Sequence, residues 1–431
     1  MLKKGLLIKF LQWRVRNLSD NLFVIILSII IGLVTGLAAF LLKKTVYSIE
    51  DEILGFFQSS EQIYYLLLFP FIGIILTVLF LKYIVRDDVG HGVPRILYAI
   101  SKLDGSMRRH KIFSSLVGGS LTAGFGGSVG LESPIISTGA SVGSFLGQIL
   151  KLSYKHKTLL IGCGVTGAMA SIFTTPIAAV IFGFEVLLLD LSTAAIIPLL
   201  IASVTGAVTT KMLLNEQYLV HFKVTQEFII SDIPFFIVLG ILAGFVSVYF
   251  HYVHFQVIKL FSKVKSFLLK AVIGGALLGV LVFLFPPLYS EGYEAIRHIV
   301  SGESQKILNY SLFADNTNIW FLVAFAFLLL IFKVFATTIT TEAGGVGGIF
   351  APAAMMGGLT GFILSRSINN LFSNEGLHES NFTLIGMASV LGGVLQAPLT
   401  AIFIIAEMSN GYELIVPLML STSIAFLIAR T

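Results

Sequence analysis

The hydrophobic positions of this chain form long uncharged runs instead of the short alternations of a soluble protein. Runs long enough to cross the roughly 30 Å hydrocarbon core of a bilayer recur along the sequence. They lie at 21–42, 63–81, 112–131, 191–210, 233–258, 271–290, 316–332 and 414–429. Two further runs, 133–150 and 158–184, are interrupted by Gly, Pro or isolated acids. The pattern predicts an all-α polytopic membrane protein with broken helices.

Composition and charge agree with this prediction. Hydrophobic residues make up 56% of the 431 residues and charged residues 12%, and the mean hydropathy is +0.93. Residues 1–20 mix basic and apolar positions, which predicts an amphipathic helix on the membrane surface. Because cytosolic loops are rich in Lys and Arg, we expect a plasma membrane protein with its N-terminus and its 102–111 loop in the cytosol. This topology explains the net charge of +5 without a nucleic-acid partner, and the single Cys163 excludes a disulfide framework or Cys-based metal cluster.

The sequence contains an internal repeat. GGSVGLESP at 126–134 matches GGVGGIFAP at 344–352 with an offset of 218 residues. FTTPIAAVIFGFE at 173–185 matches LQAPLTAIFIIAE at 395–407 with an offset of 222, which aligns Glu185 with Glu407. These matches predict two related transmembrane halves, 21–214 and 233–431, joined by a connection at 215–232. Gly- and Pro-interrupted segments at corresponding positions of two halves are typical of transporter sites.

Gly-rich strings that end in Pro predict the starts of helices, because Gly permits unusual backbone angles and Pro suits the first helical turn. The strings are GHGVP at 90–94, GLESP at 130–134 and GIFAP at 348–352. Unpaired amides and partial positive charge at a helix N-terminus bind anions. None of the strings contains Lys or Arg, so we expect an anion site of backbone dipoles that binds weakly enough to release a permeating ion.

Glu132 is the only charged residue between Lys111 and Lys151, and it lies inside the second string. A carboxylate at a helix N-terminus would compete with an anion, and it would leave when it is displaced or protonated. We therefore predict that Glu132 is a gate or a proton carrier. The alternative is a buried acid that caps its own helix.

The three strings resemble those of the CLC family of chloride channels and proton/chloride antiporters. GHGVP stands at the family's GSGIP string, GLESP at its GREGP string and GIFAP at its GxFxP string. The order and spacing of the three strings agree with those of the family, and the resemblance covers nearly the whole chain. The resemblance implies a CLC-type fold of two inverted repeats, with about eighteen helices that include broken and re-entrant ones. It also implies a homodimer in the lipid bilayer with one pathway per subunit, and bound chloride without any metal or other cofactor.

The resemblance also assigns roles to individual residues. Glu132 corresponds to the gating, proton-linked glutamate of the outer anion site. The remaining assignments are backbone amides and one side chain: Leu131, Glu132, Ser133 and Ala351 for the outer site, Ile349, Phe350 and the His91 side chain for the central site, and Gly90 and His91 for the inner site.

Several positions depart from the family pattern. His91 replaces a serine, which affects anion selectivity, and Val186 replaces the inward-facing glutamate of many antiporters. Glu185 is either a substitute proton route or a structural acid paired with Glu407. The family's anion-coordinating tyrosine would lie in a last helix beyond the end of the chain, so that helix is expected to be absent. Because of Val186, we favour a chloride channel gated by Glu132, with a proton-coupled chloride antiporter as the alternative.

The string GGSVG also matches the G-x-S-x-G pattern of serine hydrolases, with Ser128 as the nucleophile. That motif needs a strand–turn–helix setting and a His and an acid nearby. The equivalent string in the second half has no serine. We therefore expect a protein that is not an enzyme, and an intramembrane serine hydrolase remains a remote alternative.

Overall fold

The computed structural model describes residues 12, 14, 16–55, 60–87, 92–188, 193–214, 222, 229–372, 376–409 and 411–430. Within these ranges sixteen α-helices form almost all of the regular structure, which confirms the all-α prediction. In chain order they are α1 (Asp20–Gly55), α2 (Leu68–Leu79), α3 (Gly92–Lys102), α4 (Lys111–Gly124), α5 (Glu132–Ile149), α6 (Tyr154–Phe173), α7 (Pro176–Glu185), α8 (Thr193–Leu213), α9 (Ile233–Ser262), α10 (Phe267–Leu284), α11 (Tyr293–Val300), α12 (Ile319–Glu342), α13 (Phe350–Leu371), α14 (Glu379–Leu395), α15 (Pro398–Met408) and α16 (Ile415–Arg430).

Six stretches of the described chain are long and apolar enough to cross a membrane. They are Asp20–Ile53, Tyr64–Val85, Ala194–Leu213, Ile230–Ser262, Phe267–Leu284 and Ile319–Glu342. The prediction of one continuous span over 112–131 is wrong. Here α4 ends at Gly124, and Gly126 has a φ of +96°, which helical backbone cannot adopt. The run at 414–429 forms α16, a helix of 16 residues that is shorter than these spans.

The internal repeat is present in three dimensions. Helix α5 packs against α6 as α13 packs against α14, and both crossings use glycine at equivalent positions. A Cβ on Gly139 would lie 2.1 Å from the carbonyl oxygen of Gly164, and one on Gly357 would lie 2.2 Å from that of Gly386. Small residues let helix backbones approach this closely in membrane proteins. Each half of the chain therefore contains an equivalent pair of closely packed helices.

The two halves meet through a contact between equivalent residues. Gly130 and Gly348, which are repeat partners, form an isolated antiparallel bridge. Each donates its amide to the carbonyl of the other at 2.9 Å. A reciprocal contact of this kind is expected where two segments are related by a two-fold axis. It agrees with the predicted inverted repeats.

The two ends of α1 mark opposite faces of the molecule. The helix has 36 residues, which corresponds to about 54 Å. Leu18 and Phe23 at its beginning pack in one cluster with Ile112 and Leu152, beside the basic 102–111 loop. Its other end lies beside residues 286–310.

Parts of the predicted organisation lie outside the described residues. These parts are most of the N-terminal helix at 1–20, most of the connection at 215–232, and both Gly90 and His91. The GHGVP string is described only from Gly92 onward, where α3 begins.

Candidate functional site

Two helix starts converge at the Gly130–Gly348 bridge. Helix α5 begins at Glu132 and α13 at Phe350, each two residues after its bridging glycine. The first amides of a helix have no acceptor within it, and they carry partial positive charge. The bridge thus brings together all the described residues that were predicted to line the outer and central anion sites, which are Leu131, Glu132, Ser133, Ile349, Phe350 and Ala351.

The Glu132 carboxylate lies between the two helix starts. Its residue is only 2% exposed. Its Oε1 accepts a hydrogen bond from the Tyr293 hydroxyl at 3.4 Å, and the Ala351 amide lies beside the carboxylate. Its Oε2 is buried without a hydrogen-bond partner in the described part of the chain. A buried carboxylate with an unpartnered oxygen is costly in its charged form, so it is suited to accept a proton or to give way to an anion.

A second carboxylate, Glu291, reaches the same helix start. Its Oε1 accepts a hydrogen bond from the Leu131 amide at 3.3 Å, and the Tyr47 hydroxyl donates to its Oε2 at 3.3 Å. The sequence interpretation missed Glu291 and Tyr293. The available signal was SEGYE at 290–294, a Gly flanked by ionisable residues directly after an apolar run, but it has no partner in the repeat.

Two buried lysines lie close to this site. Lys333 on α12 is fully buried, and its Nζ donates to Ser128 Oγ at 2.9 Å and to the Ser290 carbonyl at 3.2 Å. Lys43 on α1 is 1% exposed and interacts electrostatically with Glu291 and Glu132. The expectation of a site made of backbone dipoles alone is therefore incomplete. Neither lysine belongs to a Gly-rich string, so the motifs gave no sign of them.

Glu185 and Glu407 cap each other's helices. Glu185, at the end of α7, accepts hydrogen bonds from the amides of Leu399 and Thr400 at 3.1 and 2.7 Å. Glu407, at the end of α15, accepts the equivalent bonds from the first turn of α7 at 3.1 and 2.9 Å. These contacts agree with the alternative in which Glu185 is a structural acid paired with Glu407. Val186, the next residue, packs against the main hydrophobic core.

The setting of Ser128 does not favour a hydrolase. Ser128 is fully buried, its amide donates to Thr340 Oγ1 at 3.2 Å, and its hydroxyl accepts from Lys333. The GGSVG string follows helix α4, whereas the hydrolase motif follows a strand.

A cavity of about 670 Å³ opens between the end of α1 and residues 286–310. Its lining includes Glu50, Glu291, Tyr293, Glu294 and Lys306. The side chains of Glu294 and Lys306 are 63% and 47% exposed, so the cavity reaches solvent. His298, whose Nε2 lies 3.6 Å from Glu294 Oε1, lowers the pKa of Glu294. The cavity thus connects an ionised rim with the buried carboxylates.

Comparison with known proteins agrees with this geometry. Residues 73–430 match the family model described as "Voltage gated chloride channel". The "Putative chloride channel protein ClcB-like" of Ralstonia nicotianae is 26% identical over 372 residues, which cover 84% of this chain and 82% of that protein. The "H(+)/Cl(-) exchange transporter ClcA" of Yersinia pestis bv. Antiqua is 24% identical over 445 residues, which cover 99% of this chain and 88% of that protein.

Solved structures share the fold. A slow cyanobacterial Cl⁻/H⁺ antiporter aligns with a TM-score of 0.77 and 24% identity, covering 96% of this chain and 95% of that one. A CLC-type fluoride/proton antiporter aligns with a TM-score of 0.76 and 24% identity, covering 94% of this chain and 95% of that one. The family model, the fold and the paired helix starts agree, and this chain belongs to the CLC family of voltage gated chloride channels.

Proposed function

We propose that this protein exchanges protons for chloride, or for a similar small monovalent anion, across the plasma membrane. Glu132 carries the proposal. Its buried carboxylate lies between two positive helix ends, and one of its oxygens has no hydrogen-bond partner among the described residues. When charged it competes with an anion for the same amides, and when protonated it releases them. Movement of anions and movement of protons are then linked through one side chain.

The relatives support an antiporter over a channel. The relative that spans 99% of this chain is named a proton/chloride exchange transporter, and both solved structures described above are named antiporters. This support replaces the preference for a channel that was drawn from Val186. The named relatives are channels and transporters, and none of them is described as an enzyme.

A passive chloride channel is the second candidate. Val186 provides no second titratable side chain at the position of the usual inward-facing glutamate, and the Ralstonia relative is named a putative chloride channel. Fluoride is the competing anion, because one structural neighbour is named a fluoride/proton antiporter.

The protein is proposed to act as a homodimer in the lipid bilayer, with its N-terminus in the cytosol. The basic loop at 102–111 and the beginning of α1 share one face, as the positive-inside tendency requires. The cavity at the other end of α1 then opens on the outer side.

Reconstitution into liposomes tests the proposed exchange. We expect an imposed chloride gradient to drive protons uphill through the wild-type protein. In Glu132→Gln, which mimics the protonated side chain, the proton movement should disappear while chloride flux remains. Both fluxes are measured together, with a pH electrode and a chloride electrode.

Glu52→Gln is the matched control, because Glu52 is exposed near the end of α1 and should leave both fluxes unchanged. Absence of chloride-driven proton movement in the wild type would identify a channel. Unchanged proton movement in Glu132→Gln would remove the role assigned to Glu132.

A further inference from the structure

Glu291 is a buried carboxylate for which the proposed role of Glu132 does not account. It is 5% exposed and accepts the amide of Leu131, the residue directly before Glu132, at 3.3 Å. Two carboxylates therefore meet at one helix start, where they interact electrostatically. Neighbouring buried carboxylates do not titrate independently, because the charge on one affects the protonation of the other.

Glu291 connects solvent to this helix start. On one side it lines the cavity, whose rim carries the exposed Glu294 and Lys306. On the other side it touches Leu131. Glu132 does not line the cavity. Glu291 is therefore the carboxylate that contacts both the cavity and the start of α5.

Gly292 shapes the segment that carries Glu291. Its φ of +88° is a left-handed conformation that favours glycine, and a Cβ there would lie 2.3 Å from the sulfur of Met355. The flanking residues Glu291 and Tyr293 both reach the start of α5. The Tyr293 hydroxyl donates to Glu132 Oε1 at 3.4 Å, and Tyr293 is also one of the residues that line the cavity.

Positively and negatively charged groups lie around Glu291. The titratable and charged groups that interact with it or line the cavity beside it are Lys43, Tyr47 and Glu50 on α1, Glu132 on α5, Tyr293, Glu294 and Arg297 on α11, and Lys333 on α12. Lys333 donates to the neutral oxygens of Ser128 and Ser290. Both buried lysines attract the Glu291 carboxylate, which offsets part of the cost of burying its charge.

We propose that Glu291 is the outer proton relay of this site, taking protons from cavity water and passing them to Glu132. In the transfer the O–H bond on Glu291 breaks and an O–H bond forms on Glu132. A hydronium ion in the cavity then protonates Glu291 again and leaves as water, and no electrons are exchanged. The inference rests on the proposed function, in which Glu132 carries the proton.

The test measures proton flux and anion flux in liposomes while only the pH on the cavity side is varied. Glu291→Gln keeps the shape of the side chain and an acceptor for Leu131, but it cannot carry a proton. We expect its proton flux to fall by about 100-fold, as is typical for the loss of a proton-transfer group. Its anion flux should lose the dependence on cavity-side pH, while the flux under acidic conditions stays close to that of the wild type.

Rescue separates a relay from a structural role. Glu291→Asp retains a carboxylate and should restore part of the pH dependence, whereas a purely structural residue would give reduced thermal stability and reduced anion flux together. If Glu291→Gln does not fold, Glu291→Leu combined with Lys43→Met removes one charge of each sign and serves as the second non-titratable variant. Glu52→Gln is the control, because Glu52 is exposed and does not line the cavity.

Wild-type pH dependence in a folded non-titratable variant would overturn the inference. Failure of the proposed exchange has a different signature, because the wild type itself would then show no chloride-driven proton movement. In that case the response of anion flux to cavity-side pH still decides the role of Glu291.

Discussion

Gly130 leaves the space that the Glu132 carboxylate occupies. A Cβ at Gly130 would lie 1.9 Å from Glu132 Oε2 and 2.8 Å from its Cδ. Because the obstructing atoms belong to the end of a flexible side chain, an added methyl group would move the carboxylate instead of the backbone. Gly130 therefore does more than permit the turn that precedes α5. It allows the carboxylate to fold back over the bridge between the two halves.

Gly130→Ala should partly uncouple the transporter. We expect the displaced carboxylate to leave anion flux in place and to lower chloride-driven proton flux by about 100-fold, the scale for a roughly 1 Å misplacement of a reacting group. The paired flux assay in liposomes measures both. In a Glu132→Ala background the same substitution should cause no further change in either flux, since no carboxylate is left to displace. Full coupling in Gly130→Ala would contradict this account of the glycine.

The reciprocal caps of α7 and α15 join the two halves at the level of whole helices. Each helix ends in a glutamate that accepts the first amides of the other. A negative side chain at a helix N-terminus stabilises the helix. The repeat predicted that Glu185 and Glu407 are equivalent, but it could not show that each caps the helix of the other. Sequence similarity identifies corresponding residues, while the contact depends on how the halves are placed.

Glu185→Ala should lower stability and leave proton coupling intact. Loss of one cap costs about 0.5–2 kcal/mol, so the thermal midpoint in detergent should fall. Glu407→Ala should produce a similar decrease, because its helix has the equivalent contacts. The alternative, an internal proton route through Glu185, would instead abolish coupling in Glu185→Gln without a comparable change in Glu407→Gln.

The whole molecule has two distinct faces, defined by the ends of α1. The basic loop at 102–111 lies at one face, and the cavity with Tyr310 lies at the other. The two faces need different chemistry, because one is expected to meet the cytosol and the other to supply outer protons to the site.

Cysteine labelling of intact cells tests this orientation. Cys163 is fully buried, so the native chain should be unreactive and can serve as the background. We expect a membrane-impermeant maleimide to label Tyr310→Cys from outside, and to label Lys102→Cys only after the cells are permeabilised. The reverse pattern would place the N-terminus outside and the cavity in the cytosol.

The sequence by itself determined the membrane class, the duplicated halves, the helix starts and the unusual Glu132. Each of these depends on local composition or on similarity between segments, which can be recognised without knowing how helices pack. Only the tertiary structure decided which groups surround Glu132. The Leu131–Glu291 hydrogen bond joins residues 160 positions apart, and the Ser128–Lys333 bond joins residues 205 positions apart. Local patterns carry no information about such contacts, because they arise from the packing of α1, α5, α11 and α12 around one point.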